Sequence, residues 1–227
     1  MEIAMEIKNK KQGFDIKKIV GMATFAALAY AVTFVFRIPV SFLTFDAKDA
    51  VLTVASFIYG PLAALVMSLI PALIEFITIS DTGFWGFLMN FVSSAVFSFT
   101  AAAVYKFKRN FSGAIIGLYS SVVATTAVMM LMNILVTPIY MKVPREMVFN
   151  LLPTLLMPFN FAKALMNAAI AMLIYKPISI AMKKAKLISG NMDARFTRQS
   201  LVMLIIGGIT LAAAIVIFVL LRLNSAQ

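Results

Sequence analysis

Cysteine and histidine are absent from this 227-residue chain. Their absence excludes disulfides, thiol or imidazole metal sites, nucleophilic cysteine and a histidine general base. Nor is there a G-x-x-x-x-G-K-[ST] run, so no nucleotide is bound by that route. Acid is scarce: 9 Asp and Glu stand against 20 Lys and Arg, and only 13% of residues are charged. A soluble domain is about 25% charged and about 45–50% apolar. Here 62% of residues are hydrophobic and the mean hydropathy is +0.97. The chain therefore reads as an all-α integral membrane protein. Its apolar runs suit helices, which need about 20 residues to cross, and lack the alternation of an outer-membrane barrel. A solute moved uphill through such a chain needs an ion gradient or another subunit.

Seven apolar segments are expected, at 16–36, 49–59, 61–79, 84–105, 113–140, 157–182 and 200–221. The second is short and ends at the Gly60-Pro61 break, and Ser80-Asp81-Thr82-Gly83 is a turn signal. This divides the chain into a basic N-terminus at 1–15, a membrane domain at 16–182, a basic linker at 183–199, and a further transmembrane helix with the C-terminus at 200–227. The basic start, Lys8 to Lys18, leads into a full-length span, so no cleavable signal peptide is expected.

The net charge of +11 does not point to nucleic acid, because the cations cluster between apolar spans. One side collects Lys8, Lys10, Lys11, Lys17, Lys18, Lys106, Lys108, Arg109, Lys183, Lys184, Lys186, Arg195 and Arg198. The other collects Arg37, Lys48, Lys142, Arg145 and Arg222. By the positive-inside rule the N-terminus is expected in the cytoplasm.

The sixth segment opens Met157-Pro158-Phe159-Asn160-Phe161-Ala162-Lys163-Ala164-Leu165-Met166-Asn167. Asn160, Lys163 and Asn167 fall on one helical face. A lysine at the centre of a membrane helix costs about 2.5–3.5 kcal/mol on insertion scales and marks a functional site by default. At 1.5 Å per residue, Lys163, Asn90 and Asn133 lie about 9–10 Å below the outer ends of three different spans. Single asparagines also act as glue between membrane helices, and Lys163 is near enough to the surface to snorkel. Convergence at one depth favours a polar solute site. Asn160 sits above this layer and Asn167 below it, where it is the better candidate for glue.

The first outer loop reads Phe42-Leu43-Thr44-Phe45-Asp46-Ala47-Lys48-Asp49-Ala50, with Asp49 placed to cap the second helix. The loop is apolar enough either to rest in lipid headgroups or to close over a pocket as a lid. Glu75 is alone and near a span end, so it is expected to snorkel or bond to a loop. The first span carries Ala23, Ala27 and Ala31, a small-x-x-x-small stripe fit for packing or for docking a membrane partner.

Together these stretches resemble the substrate-binding S-components of energy-coupling factor (ECF) transporters, above all the riboflavin-specific kind. The alanine stripe, the Phe45-to-Val51 run and the Pro158-to-Asn167 run carry the likeness, which extends over about 15–185. The resemblance implies a six-helix bundle with an outward-facing vitamin pocket in a bacterial cytoplasmic membrane. It also implies two cytoplasmic ATPases and a membrane coupling protein that docks on the alanine stripe. No enzymatic activity and no covalent cofactor is expected. The last span departs from the pattern as one extra helix.

Riboflavin fits the residue types. One edge of its ring alternates carbonyl acceptors with an N–H donor, which an asparagine amide can match. Its ribityl hydroxyls suit Lys163 and a second asparagine, and its dimethylbenzene end suits the 20 Phe and 16 Met. The expected ligand set is Asn160, Lys163, Asn133 and Asn90, with Thr44, Phe45 and Lys48 from the lid region and Asn167 beneath. An S-component for another vitamin and an ion-coupled secondary carrier remain open alternatives. The carrier would need Glu75 or Lys163 as its titratable coupling group.

Overall fold

A computed structural model describes residues 16–80, 82–184 and 197–224. The N-terminal stretch 1–15 and most of the linker lie outside the described residues. All seven apolar segments are helical, and six helices among the described residues are long and apolar enough to cross a membrane. The exception is the second segment. Its 12 residues rise only about 18 Å, against a hydrocarbon core of about 30 Å. The expected count of seven crossings is therefore corrected to six candidates.

Helix α1 (Ile16–Val35) leads into a hairpin of β1 (Ile38–Val40) and β2 (Leu43–Phe45). The strands pair antiparallel with Ile38 opposite Phe45 and Val40 opposite Leu43. The turn between them is made by Ser41 and Phe42, with Ser41 in the left-handed region at φ 53°. A loop was expected here. Three-residue strands are too short to show a period in the sequence.

Helix α2 (Lys48–Tyr59) follows, and the chain breaks at Gly60, whose φ of 94° is one that side-chain-bearing residues rarely adopt. Helix α3 (Pro61–Thr78) starts with proline at its first position, where the missing N–H has no cost. Helices α4 (Gly83–Phe107) and α5 (Phe111–Met141) come next. The Asn110 side chain caps α5 by accepting from the Gly113 N–H at 2.9 Å.

The sixth span begins earlier than the sequence implied. Helix α6 (Arg145–Leu151) runs through a π-helical turn (Leu152–Leu156) into α7 (Met157–Lys184). Pro153 sits in the wide turn, which accommodates the hydrogen bond that proline removes from an α-helix. The polar residues Arg145, Glu146 and Asn150 masked this stretch as loop. Helix α8 (Arg198–Asn224) completes the chain.

The interior is built from small and weakly polar side chains. Ala162, Ala164, Ala168, Ala169 and Ala171 are buried in α7, which is enclosed all round from Ala162 to Ala169. Leu and Ile are plentiful on the outer faces, among them Leu62, Ile77, Leu131 and Ile209. Lipid is as apolar as leucine, so close approach of small residues drives the packing. Helix α2 is encased, with every residue from Lys48 to Ser56 buried and α1, α3, α4 and α7 packed around it. Helix α8 lies along α7. A Cβ added at Gly207 would meet the Met172 Cβ at 3.1 Å, and Thr210 hydrogen-bonds Tyr119 of α5 at 2.7 Å.

Candidate solute pocket

A cavity opens beneath the hairpin among α1, α3, α4, α5 and α7. Counted with its mouth and the open solvent there, its empty space is about 980 Å³. Five of the eight residues expected at a ligand line it: Thr44, Asn90, Asn133, Asn160 and Lys163. Phe42, Trp85, Met89 and Phe159 supply apolar wall. Asn90, Asn133 and Lys163, from three different spans, line this one cavity.

Most of these groups are held by a buried ionic cluster at the start of α2. Lys163 Nζ stands 2.7 Å from Asp46 Oδ2 and donates to the Thr44 carbonyl at 3.3 Å. Lys163 is only 8% exposed, so it does not snorkel. Lys48 donates to both Glu75 oxygens, at 2.8 and 2.7 Å, and lies 3.9 Å from Asp46. Asn90 donates to Glu75 at 3.2 Å. Burial alone would push the Asp46 carboxyl up, but Lys163 and Lys48 beside it hold it below the usual 3.8. Each charge buried from water costs several kcal/mol unless paired, and here Lys48, Lys163, Asp46 and Glu75 all have partners.

Two readings of the sequence are corrected. Glu75 is 4% exposed and ion-paired, not alone at the surface. The signal was available: a carboxylate inside an apolar span needs a partner, and the cation at Lys48 supplies it. Asp49 does not cap α2. Its carboxylate accepts from the Ser94 hydroxyl on α4. The start of α2 is satisfied instead by Asp46, which accepts from the Lys48 N–H at 3.3 Å, and by Asn167, which accepts from the Ala50 N–H at 2.9 Å.

Asn167 also donates to the Asp46 carbonyl at 2.9 Å. It therefore ties α7 to the hairpin exit and lies outside the pocket wall, as does Lys48. Phe45 is likewise off the wall; its ring meets Phe218 of α8 edge-on at 5.8 Å. Asn160 donates to the Leu156 carbonyl at the end of the π turn at 2.7 Å. Asn133 donates to the Met129 carbonyl at 2.7 Å and accepts from Thr137 at 3.0 Å. Each amide spends one N–H on its own helix and keeps the other for the cavity. Sequence reasoning passed over Asp46 as a hub, although its position two residues before Lys48 was in view. It also passed over Trp85, the single tryptophan of the chain, and Phe159, which lies beside Asn160 in the Met157-to-Asn167 run.

The cluster can hold a neutral, flat solute by donors from Lys163 and the asparagines, by the Asp46 and Glu75 acceptors, and by aromatic walls. No group of carboxylates among the described residues is arranged to hold a metal ion. The family model described as "ECF transporter, substrate-specific component" matches residues 17–179, leaving α8 outside the match. The chain is 28% identical over 184 residues to the riboflavin transporter RibU of Staphylococcus aureus (strain TCH60), covering 74% of this chain and 93% of that one. A solved structure described as "Structure and mechanism of the S component of a bacterial ECF transporter" is similar with a TM-score of 0.63 and 27% identity. It covers 74% of this chain and 98% of the solved one.

Proposed function

The chain belongs to the family of ECF transporter substrate-specific components, a non-enzymatic family of the cell membrane, and from that premise we propose that its pocket binds riboflavin. One observation carries the reading. Thr44, Asn90, Asn133, Asn160 and Lys163 converge from the hairpin and three helices on a cavity walled by Phe42, Trp85 and Phe159. A planar ring with a polar edge and a hydroxylated tail needs that mixture of few anchors and apolar wall. Similarity to a riboflavin transporter over 93% of its length supports the same solute.

Family members work with an ECF energising module. In this reading the module comprises a membrane coupling protein and two cytoplasmic ATPases. The coupling protein docks on α1, where Ala23, Ala27 and Ala31 are exposed along one face. Helix α1 packs on α2 and α3, whereas α8 packs on α7 and reaches α5. The extra helix therefore leaves the alanine face uncovered. With the N-terminus in the cytoplasm, the hairpin end of the bundle faces outward and receives the vitamin, and α8 is an addition to a six-helix unit of α1 to α5 and α7.

The purified protein tests the solute directly. A yellow preparation with flavin absorbance, or one that takes up riboflavin after stripping, meets the expectation. A preparation that binds no flavin after stripping and reloading overturns it and returns the pocket to another vitamin. Uptake that persists without the ATPases and stops on collapse of ion gradients would favour a secondary carrier.

A further inference from the structure

Helix α8 reaches the hairpin above the pocket without lining the cavity. Thr44 and Phe45 are successive residues of β2, so their side chains leave opposite faces of the hairpin. Thr44 faces the cavity. Phe45 is 4% exposed and packs its ring against Phe218 with centroids 5.8 Å apart and planes at 63°. Val40 of β1 and Phe45 of β2 belong to the same continuous core as Ala214 and Leu221 of α8, with Phe218 packed against it. On the cavity side, Lys163 bonds the Thr44 carbonyl and Asp46. The hairpin is clamped between a lysine in front and an aromatic ring behind. The lysine contact is polar and open to exchange with a polar solute. The ring contact is apolar, faces away from the cavity, and has no competitor there.

We infer that α8, which lies outside the family match, braces the hairpin, and that Phe218 is a positioning residue for the pocket. It acts through Phe45 by holding β2 over the cavity when Lys163 turns to the solute. The inference deepens the flavin reading and rests on it for one of its two measurements. The other measurement needs no ligand.

The test compares Phe218→Ala with Met203→Ala in the full-length protein. Met203 is buried on the same helix, about 22 Å further from the hairpin at 1.5 Å per residue. Amide hydrogen exchange over residues 38–46 reads the hairpin, and recovery of riboflavin fluorescence reads release. An edge-on aromatic pair contributes about 0.5–1.5 kcal/mol beyond its buried area, so Phe218→Ala is expected to speed both by about tenfold. Met203→Ala is expected to lower thermal stability and change neither, and Phe218→Leu to recover part of the loss. Equal effects of Phe218→Ala and Met203→Ala would make α8 a general stabiliser and overturn the brace. So would unchanged hairpin exchange in Phe218→Ala, whatever the solute. A wild-type protein that binds no riboflavin would defeat the solute assignment alone, and the exchange comparison would still decide the brace.

Discussion

The two ends of the bundle are held together by different forces. At the hairpin end, Asp46, Lys48, Glu75 and Lys163 form buried ion pairs that join β2, α2, α3 and α7. At the opposite end, Phe57 packs on Tyr105 and Tyr175 with ring centroids at 4.6 and 6.1 Å, beside the alanines of α4 and α7. Ionic contacts can be replaced, bond for bond, by the polar groups of an incoming solute. Ring and methyl packing offers no such exchange. In the proposed reading the hairpin end accepts the ligand and the other end stays shut.

Four single substitutions, one of them with a second-site rescue, can break or sharpen this contrast. The largest effect is expected from Lys48→Met, which leaves Glu75 without its cation. Breaking a buried pair costs about 3–5 kcal/mol, so thermal unfolding in detergent is expected at a much lower temperature. Adding Glu75→Gln should restore part of the loss. Next is Lys163→Met, which removes a charged donor from the pocket. Hydrogen bonds to charged groups contribute about 1.5–3 kcal/mol, so riboflavin affinity by fluorescence titration should fall by about 10- to 100-fold with normal membrane insertion. Unchanged affinity would leave Lys163 a purely structural tether. Asn160→Ala removes a neutral partner at about 1–1.5 kcal/mol, for an expected 5- to 10-fold weakening. The smallest effect is expected at the closed end. Tyr175→Phe deletes a hydroxyl beside Tyr105 and should shift stability by about 1 kcal/mol while leaving affinity within about twofold. A large loss of binding there would end the division between the two ends.

The helices were legible because their apolar runs are long and their breakers, Gly60-Pro61 and the turn before Gly83, are plain. The convergence of Asn90, Asn133 and Lys163 was legible because topology fixes depth at a constant rise per residue. What the sequence hid was relational. The hairpin depends on pairing between strands of three residues. The helical stretch from Arg145 to Leu156 hides behind charged residues and Pro153. The partner of Glu75 lies 27 residues away on another helix, where no local spacing points to it. Phe45 was placed at the ligand because a lid residue has two faces and the chain alone does not say which one turns inward.

The cap on α2 has a consequence for how the protein is made. The Ala50 N–H finds its acceptor in Asn167, 117 residues later in the chain. The cation nearest Asp46 comes from the same late helix. While the ribosome is still delivering α3, α4 and α5, the start of α2 has neither. Until α7 arrives, this 12-residue helix has only the Asp46 cap on the Lys48 N–H, and its buried amides and charges lack partners that lipid does not supply. Its insertion is therefore expected to be a late step, and a chain stopped before residue 163 is expected to leave α2 accessible to water-soluble probes.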